Sequence, residues 1–113
     1  MRAIPGLQVI RPADANETVE AWKAAVGHDG PTALVLSRQG IPVCTDGAAV
    51  GRGAGIVRDT DGPPQLVIVA TGSEVAVAIE AAEQLGADGP ATRVVSLPSW
   101  DRLAMQAAAF RDE

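Results

Sequence analysis

Residues 32–42 read TALVLSRQGIP, an apolar run that ends in a single arginine. Five of the six side chains before that arginine are apolar or β-branched, which is typical of a strand buried in a parallel sheet. Gly40 and Pro42 then turn the chain. The stretch therefore predicts a buried parallel strand with Arg38 where the strand ends.

Arg38 has two interpretations at this position. Ligands of open α/β sheets bind outside the carboxyl ends of the strands, and a planar guanidinium suits phosphate, so the arginine predicts a phosphate-binding role. An arginine at such a place can also lay its stem over the sheet edge or pair with a neighbouring carboxylate. For one strand taken alone, this structural role is the commoner outcome.

A second strand and a helix precede this run. Residues 7–10 form a short apolar stretch that Pro12 ends, and Asp14 with Glu17 three residues later has the spacing of a capping box. We therefore predict a strand followed by a helix that begins at Asp14.

The predicted helix carries an apolar stripe formed by Val19, Trp22 and Val26. We expect this stripe, and the Trp22 indole in particular, to pack against the sheet as core. Glu17 is then expected to point largely toward water. Gly27 is placed to end the helix in the left-handed conformation.

The region from residue 66 to residue 97 predicts one right-handed βαβ unit. Its strands are residues 66–70 and 93–97, and its helix ends near Gly86. The start of this helix, residues 71–74, could hold an anion on its free N–H groups. Equally, Thr71 with Glu74, or Ser73 alone, could satisfy those donors without a ligand, which is the commoner arrangement.

The ends of this unit carry weaker signals. Pro98 and Ser99 predict a further helix that contains Trp100, Leu103, Ala107 and Phe110. Residues 46–64 are rich in glycine, which predicts a flexible connector with one weak strand around residues 54–57. Residues 51–55 do not form a phosphate loop, because the glycine spacing and the following residues do not fit that motif.

Composition excludes several classes of function. A formal charge of -5 argues against a nucleic-acid partner, and no apolar run is long enough for a membrane span. Cys44 is the single cysteine, which fits a reducing, cytoplasmic compartment. His28, the single histidine, lies in a helix-to-strand loop and is expected to be a solvated residue. We therefore predict no catalytic residue and no metal ligand in this chain.

Four stretches, in this order and at this spacing, resemble the transketolase family. They read PGLQVIRPADANE (5–17), TALVLSRQGIP (32–42), LVIVATGSEV (66–75) and RVVSLPSW (93–100). The resemblance covers nearly the whole chain and is weakest across residues 44–64. It resembles only part of a transketolase, whose three α/β domains follow one another.

The resemblance implies an α/β fold made of parallel-sheet strand-helix units from two incomplete domains. Residues 1–45 match the end of the middle, pyrimidine-binding domain, and residues 65–113 match the first part of the C-terminal domain. Residues 46–64 form the glycine-rich linker between them. Arg38 aligns with the family's arginine that binds the phosphate of the sugar phosphate, although the family commonly has asparagine where Gly40 stands.

The resemblance also implies the function. Transketolases transfer a two-carbon ketol unit between sugar phosphates and use thiamine diphosphate and magnesium, but the parts that bind this cofactor and carry the catalytic residues have no counterpart here. We therefore expect the chain alone to bind no cofactor and to be inactive, and we expect the sugar phosphate to be bound only in a complete enzyme. Exposed sheet edges and faces predict self-association or a need for the missing domains.

Two alternatives remain open at this point. The chain could be one subunit of a split thiamine diphosphate enzyme, or a non-catalytic binding module that holds a small molecule or a regulator at residues 71–74.

Overall fold

The computed structural model describes residues 1–86 and 88–112. Its elements follow one another along the chain as β1 (Gln8–Ile10), α1 (Ala15–Val26), β2 (Thr32–Leu34), α2 (Ala49–Arg52), β3 (Gly55–Arg58), β4 (Leu66–Ala70), α3 (Glu74–Leu85), β5 (Thr92–Ser96), α4 (Trp100–Ala104) and α5 (Ala108–Arg111). None of the helices in the described ranges is long and apolar enough to cross a membrane.

The strands form two small sheets. In the first, β1 and β2 pair in parallel, with Gln8 opposite Thr32 and Ile10 opposite Leu34. In the second, the strand order is β3-β5-β4. β4 and β5 are parallel and are connected by α3, whereas β3 is antiparallel to β5. The predicted α/β class and the predicted βαβ unit are confirmed.

Each sheet has its own small core. The first core consists of Ile10, Ala21 and Val50, which are buried, with Ala24 and Leu34 packed against them. The second consists of Ala78, Ala82 and Val94, with Val57, Ile68, Ala70 and Ile79 packed against them. Alanine supplies two of the five residues of the first core and three of the seven of the second, and these positions bury little apolar area each.

The strand predicted over residues 32–37 is shorter than expected. β2 ends at Leu34, and its residues are only half-buried. Among the described residues β1 is its one neighbour, and the last backbone bond between the two runs from Val35 N–H to Ile10 O, at 2.9 Å. Beyond that point the chain has no strand to pair with, so it leaves the sheet.

The predicted orientation of α1 is wrong. Trp22 is 56% exposed and Val26 is 83% exposed, whereas Glu17 and Ala21 are fully buried. The helix turns its small residues toward the sheet and places Glu17 among polar partners in the interior. An apolar stripe alone therefore does not fix which face a helix buries when a smaller residue on another face packs more closely.

The segment predicted as a flexible connector contains ordered structure. α2 buries Ala49 and Val50, and β3, close to the predicted weak strand, pairs with β5. Gly53 has φ +90, and a Cβ added there would lie 2.3 Å from Leu103 N. Glycine is required at this position because α4 packs directly on the backbone.

Two helix ends also differ from the prediction. Gly27 has φ -82, so α1 ends without a left-handed residue. The helix predicted after Pro98 is divided into α4 and α5. The predicted cap at Ser99 is confirmed, since its side chain accepts a hydrogen bond from Arg102 N–H.

Arg102 joins α4 to the first sheet and to α2. Its Nε donates to Val50 O at 2.9 Å, one terminal nitrogen donates to Gln8 Oε1 at 3.0 Å, and the other donates to Gly51 O at 3.1 Å. Nearby, Asp101 accepts the Val9 N–H at 2.9 Å on the free edge of β1. Hydrogen bonds from the start of α4 thus hold this helix to β1 and α2.

Candidate functional site

Arg38 lies in an exposed loop after β2. We define the Arg38 loop as residues 36–43; all of it except half-buried Ile41 is exposed, and none of it forms a hydrogen bond with another residue that the structure describes. Arg38 is four residues beyond the last residue of β2. Its guanidinium has no hydrogen bond or ion pair within residues 1–86 and 88–112, so its five donors face solvent.

The Arg38 loop is attached at two points. At its start, Val35 N–H donates to Ile10 O. At its end, the backbone N–H groups of Cys44 and Thr45 both donate to Asp14 Oδ2, at 2.8 and 2.6 Å. The loop therefore bridges from the first sheet to the start of α1.

Asp14 is the centre of this attachment. Its other oxygen, Oδ1, accepts from Glu17 N–H at 2.9 Å and from the Thr45 hydroxyl at 3.0 Å. The residue is only 4% exposed. Burial acts to raise the pKa of Asp14, but the hydrogen bonds from Glu17, Cys44 and Thr45 outweigh it, so the pKa lies below its ordinary value of 3.8. The carboxylate is held ionised with four donors.

Glu17 is a second buried carboxyl group beside the first. Its Oε2 accepts from Ala13 N–H at 2.8 Å, and its Oε1 accepts from the Ser96 hydroxyl at 2.7 Å, at the end of β5. The bond from Ala13 N–H resembles the predicted capping box, in which Glu17 would accept from the N-cap residue. Here Glu17 accepts instead from Ala13, the residue before the N-cap Asp14. Burial raises the pKa of Glu17, and the hydrogen bonds from Ser96 and Ala13 only partly oppose this.

Cys44 lies next to Asp14 but is not an activated thiol. Burial and the neighbouring Asp14 and Glu17 carboxyl groups raise its pKa, which keeps it protonated at neutral pH. Asn16 supports the same turn, since its amide donates to Thr45 O at 2.7 Å. The cluster around Asp14 thus holds the end of the Arg38 loop. Its thiol, Cys44, is not activated as a nucleophile.

Side chains of the protein itself lie at the start of α3, where an anion site was one of two interpretations of the sequence. An Arg11 terminal nitrogen lies 2.7 Å from Glu74 Oε2, and a Cβ added at Gly72 would lie 2.6 Å from Arg11 Nε. Ser73 makes no capping hydrogen bond. The Thr71 hydroxyl is buried without a partner among the described residues. The predicted side-chain caps at Thr71 and Ser73 are therefore wrong, and the Glu74 carboxylate pairs with Arg11.

His28 is exposed in the α1–β2 loop, as predicted. Within the described residues, no three His, Cys, Asp or Glu side chains are grouped so that they could hold a metal ion.

Sequence reasoning identified the cap at Asp14 but missed two functions of this cluster. The spacing of Asp14 and Glu17 predicts the helix start. The bonds from Asp14 to Cys44 and Thr45, and from Glu17 to Ser96, join positions at least 30 residues apart, and no local pattern predicts them.

The chain matches two family models. The transketolase pyrimidine-binding domain matches residues 1–43, and the transketolase-like C-terminal domain matches residues 53–113, more than half of the chain. The chain belongs to the transketolase family. Transketolase from Halalkalibacterium halodurans is 48% identical over 120 aligned residues, which cover 100% of this chain and 18% of that protein. The chain therefore spans less than a fifth of this curated transketolase.

Solved transketolase structures share the fold. The enzyme from Leishmania mexicana has a TM-score of 0.91 and 42% identity over 98% of this chain and 17% of that one. The Pichia stipitis transketolase in complex with sedoheptulose 7-phosphate has a TM-score of 0.87 and 34% identity over 97% of this chain and 17% of its own. An inactive β4 tetramer of a split-gene transketolase has a TM-score of 0.77 and 35% identity over 88% of this chain and 33% of its own.

Proposed function

We propose that the chain forms part of a transketolase and contributes the arginine that binds the phosphate of a sugar phosphate. The observation that carries this proposal is the free, exposed guanidinium of Arg38 in a loop beyond the carboxyl end of β2. Arginine binds phosphate through paired, charge-assisted hydrogen bonds, which need unoccupied donors. The Pichia stipitis relative was solved with a phosphorylated sugar, which supports this class of ligand.

The proposed domain division follows the same relationship. Residues 1–45 form the end of the pyrimidine-binding domain, residues 46–64 connect, and residues 65–113 begin the C-terminal domain. The two separate cores support this division. In this proposal the connector is short and partly ordered, since α2 and β3 belong to it.

The chain alone is inactive in this proposal. When bound, thiamine diphosphate would supply the carbanion chemistry of ketol transfer. The described residues offer no set of three ligands for the metal ion that accompanies it. The proposed contribution of this chain is to bind and orient the sugar phosphate, in a cytoplasmic enzyme whose metal-binding parts lie outside this chain.

The remaining domains are supplied by a longer polypeptide or by partner subunits. Exposed apolar side chains on α1 and on the second sheet, among them Trp22, Val67 and Val69, support such an assembly. The split-gene relative, which forms a β4 tetramer, supports self-association of this chain. The anion-binding alternative at residues 71–74 is less favoured, since Arg11 and Glu74 pair there.

A titration tests the role of Arg38. Fructose 6-phosphate is added to a complete enzyme that contains this chain as the wild type, as Arg38→Ala or as Arg111→Ala, and the dissociation constants are measured by isothermal titration calorimetry. Arg111 is also exposed, so its removal changes the net charge equally. We expect Arg38→Ala to weaken binding about tenfold, the usual loss for a charge-assisted hydrogen bond, and Arg111→Ala to leave it unchanged. Equal affinities for wild type and Arg38→Ala would contradict the proposal.

Inactivity is tested separately. With thiamine diphosphate and magnesium added, the chain is expected to give no ketol transfer from a ketose phosphate. Measurable transfer would show that this part of the proposal is wrong.

A further inference from the structure

The Arg38 loop has few contacts of its own. No residue from 36 to 43 forms a hydrogen bond with another described residue, and seven of these eight residues are exposed. A loop of this kind is ordered mainly by the points at which its ends are attached. The position of Arg38 therefore depends on the Val35 attachment at one end and the Asp14 attachment at the other.

One carboxylate oxygen of Asp14, Oδ2, accepts hydrogen bonds only from the segment that ends this loop. Capping α1 requires only Oδ1, which accepts the Glu17 N–H. Oδ2 accepts two consecutive N–H groups, those of Cys44 and Thr45, at 2.8 and 2.6 Å. Hydrogen bonds to a buried carboxylate are stronger than those between neutral groups. The second oxygen is thus an attachment for the loop and is not needed for the cap.

The attachment of the loop affects ligand affinity, because a mobile loop binds its ligand more weakly than an ordered one. When only a fraction of molecules holds the binding conformation, the apparent dissociation constant rises by the inverse of that fraction. Ordering a free loop on binding costs further free energy. An arginine whose loop is held at both ends avoids both costs.

We infer that Asp14 is a positioning residue for phosphate binding, which acts by fixing the end of the loop that carries Arg38. The inference rests on the proposed function of Arg38 and assigns Asp14 no contact with the substrate. It predicts that removing the Asp14 carboxylate lowers the affinity for phosphate, although the carboxylate is itself negatively charged.

Asp14→Ser separates the two roles of Asp14. Serine caps helices about as well as aspartate, so α1 should begin as before, but its shorter side chain cannot reach Cys44 and Thr45. For the wild type and for Asp14→Ser, the heteronuclear NOE of residues 36–43 is measured in the chain alone, and the dissociation constant of fructose 6-phosphate is measured in the complete enzyme. We expect lower NOE values in the loop, unchanged α1 signals and binding weakened about three- to tenfold.

Two controls exclude other causes. Asp46→Asn removes a negative charge next to the attachment while keeping the acceptor for Ala48 N–H, and so tests charge alone. Ser99→Ala removes the cap of α4 and lowers stability far from the loop. Ser99→Ala should bind fructose 6-phosphate as the wild type does, and Asp46→Asn should bind it at least as tightly. Removing a negative charge by itself would strengthen anion binding, so a weaker affinity identifies loss of the attachment.

The possible failures can be told apart. If Asp14→Ser leaves both loop order and affinity unchanged, the inference is overturned, whatever Arg38 does. If Arg38→Ala binds as well as the wild type while Asp14→Ser still mobilises the loop, the proposed function fails and the attachment stands. If Asp14→Ser does not fold, Thr45→Val removes the hydroxyl that donates to Asp14 Oδ1 and accepts the Gly47 N–H, and it should produce the same changes to a smaller extent.

Discussion

The starts of α1 and α3 follow the same pattern in the sequence but are built differently. Each follows the carboxyl end of a parallel strand, and each has a carboxylate in its first turn, Glu17 in one and Glu74 in the other. At α1 the carboxyl groups are buried and bonded to distant segments. At α3 the glutamate side chain is 58% exposed and pairs with Arg11. Helix starts that look alike in sequence can therefore contribute very differently to the stability of the fold.

The largest difference is expected for the two glutamates. Glu17→Ala leaves a cavity and removes the partners of Ser96 and Ala13, so we expect a loss of about 3 kcal/mol in the free energy of unfolding. Glu74→Ala removes a surface ion pair, for which we expect less than about 0.5 kcal/mol. Urea denaturation of both variants measures the difference. Similar losses for the two would contradict the comparison.

The next largest difference in the free energy of unfolding is expected between variants of the two N-cap residues, Asp14 and Ser73. Asp14→Ala removes the cap and the attachment of Cys44 and Thr45, so we expect it to cost about 2 kcal/mol. Ser73 makes no capping bond, and Ser73→Ala should cost less than about 0.5 kcal/mol. Thermal unfolding followed by circular dichroism compares them. A Ser73→Ala variant as unstable as Asp14→Ala would show that α3 depends on this residue after all.

The two buried hydroxyl groups should respond in opposite directions. Ser96→Ala leaves Glu17 Oε1 without its donor, with an expected loss of about 1.5 kcal/mol. The Thr71 hydroxyl has no partner among the described residues, so Thr71→Val should raise stability by about 1 kcal/mol. Urea denaturation midpoints give the sign in each case. Destabilisation by Thr71→Val would mean that its hydroxyl is satisfied in solution.

The smallest effect is expected in the pH dependence of stability. Burial raises the pKa of Glu17, so its contribution is fully present below its ordinary value of 4.5 and is lost as the pH rises through the raised value. The hydrogen bond from Arg11 lowers the pKa of Glu74, so its contribution is present above 4.5 and is lost as the pH falls through the lowered value.

Glutamine variants at both positions test these signs. Relative to the wild type, Glu17→Gln should gain stability as the pH rises above 4.5, and Glu74→Gln should gain it as the pH falls below that value. Free energies of unfolding from urea titrations across this range provide the measurement. Equal slopes for both variants would remove the distinction between the two helix starts.

Local patterns predicted much of this fold. The strand of residues 66–70, the helix that ends near Gly86 and the caps at Asp14 and Ser99 depend on neighbours in the sequence, and the structure has them there. The transketolase relationship was also evident from short motifs, since they recur in order at fixed spacing.

The features that were missed depend on distant partners. Whether α1 buries Trp22 or Glu17 is decided by the closeness of packing at Ala21 and by Ser96, which is 79 residues away from Glu17. The length of β2 depends on how many strands lie beside it. The binding role of Arg38 stays a prediction, because an exposed guanidinium without a hydrogen bond to the described residues is compatible with it and does not by itself define a ligand.

Arg102 also has a consequence for how the molecule folds. Its hydrogen bonds to Gln8 and Val50 span 94 and 52 residues, so they form only after most of the chain has been brought together. Contacts that form after the rate-limiting step govern the rate of unfolding and leave the folding rate nearly unchanged. A lysine at this position lacks the planar fork, and stopped-flow measurements on Arg102→Lys should show faster unfolding with unaltered refolding. This one side chain would then set how long α4 remains attached to β1 and α2.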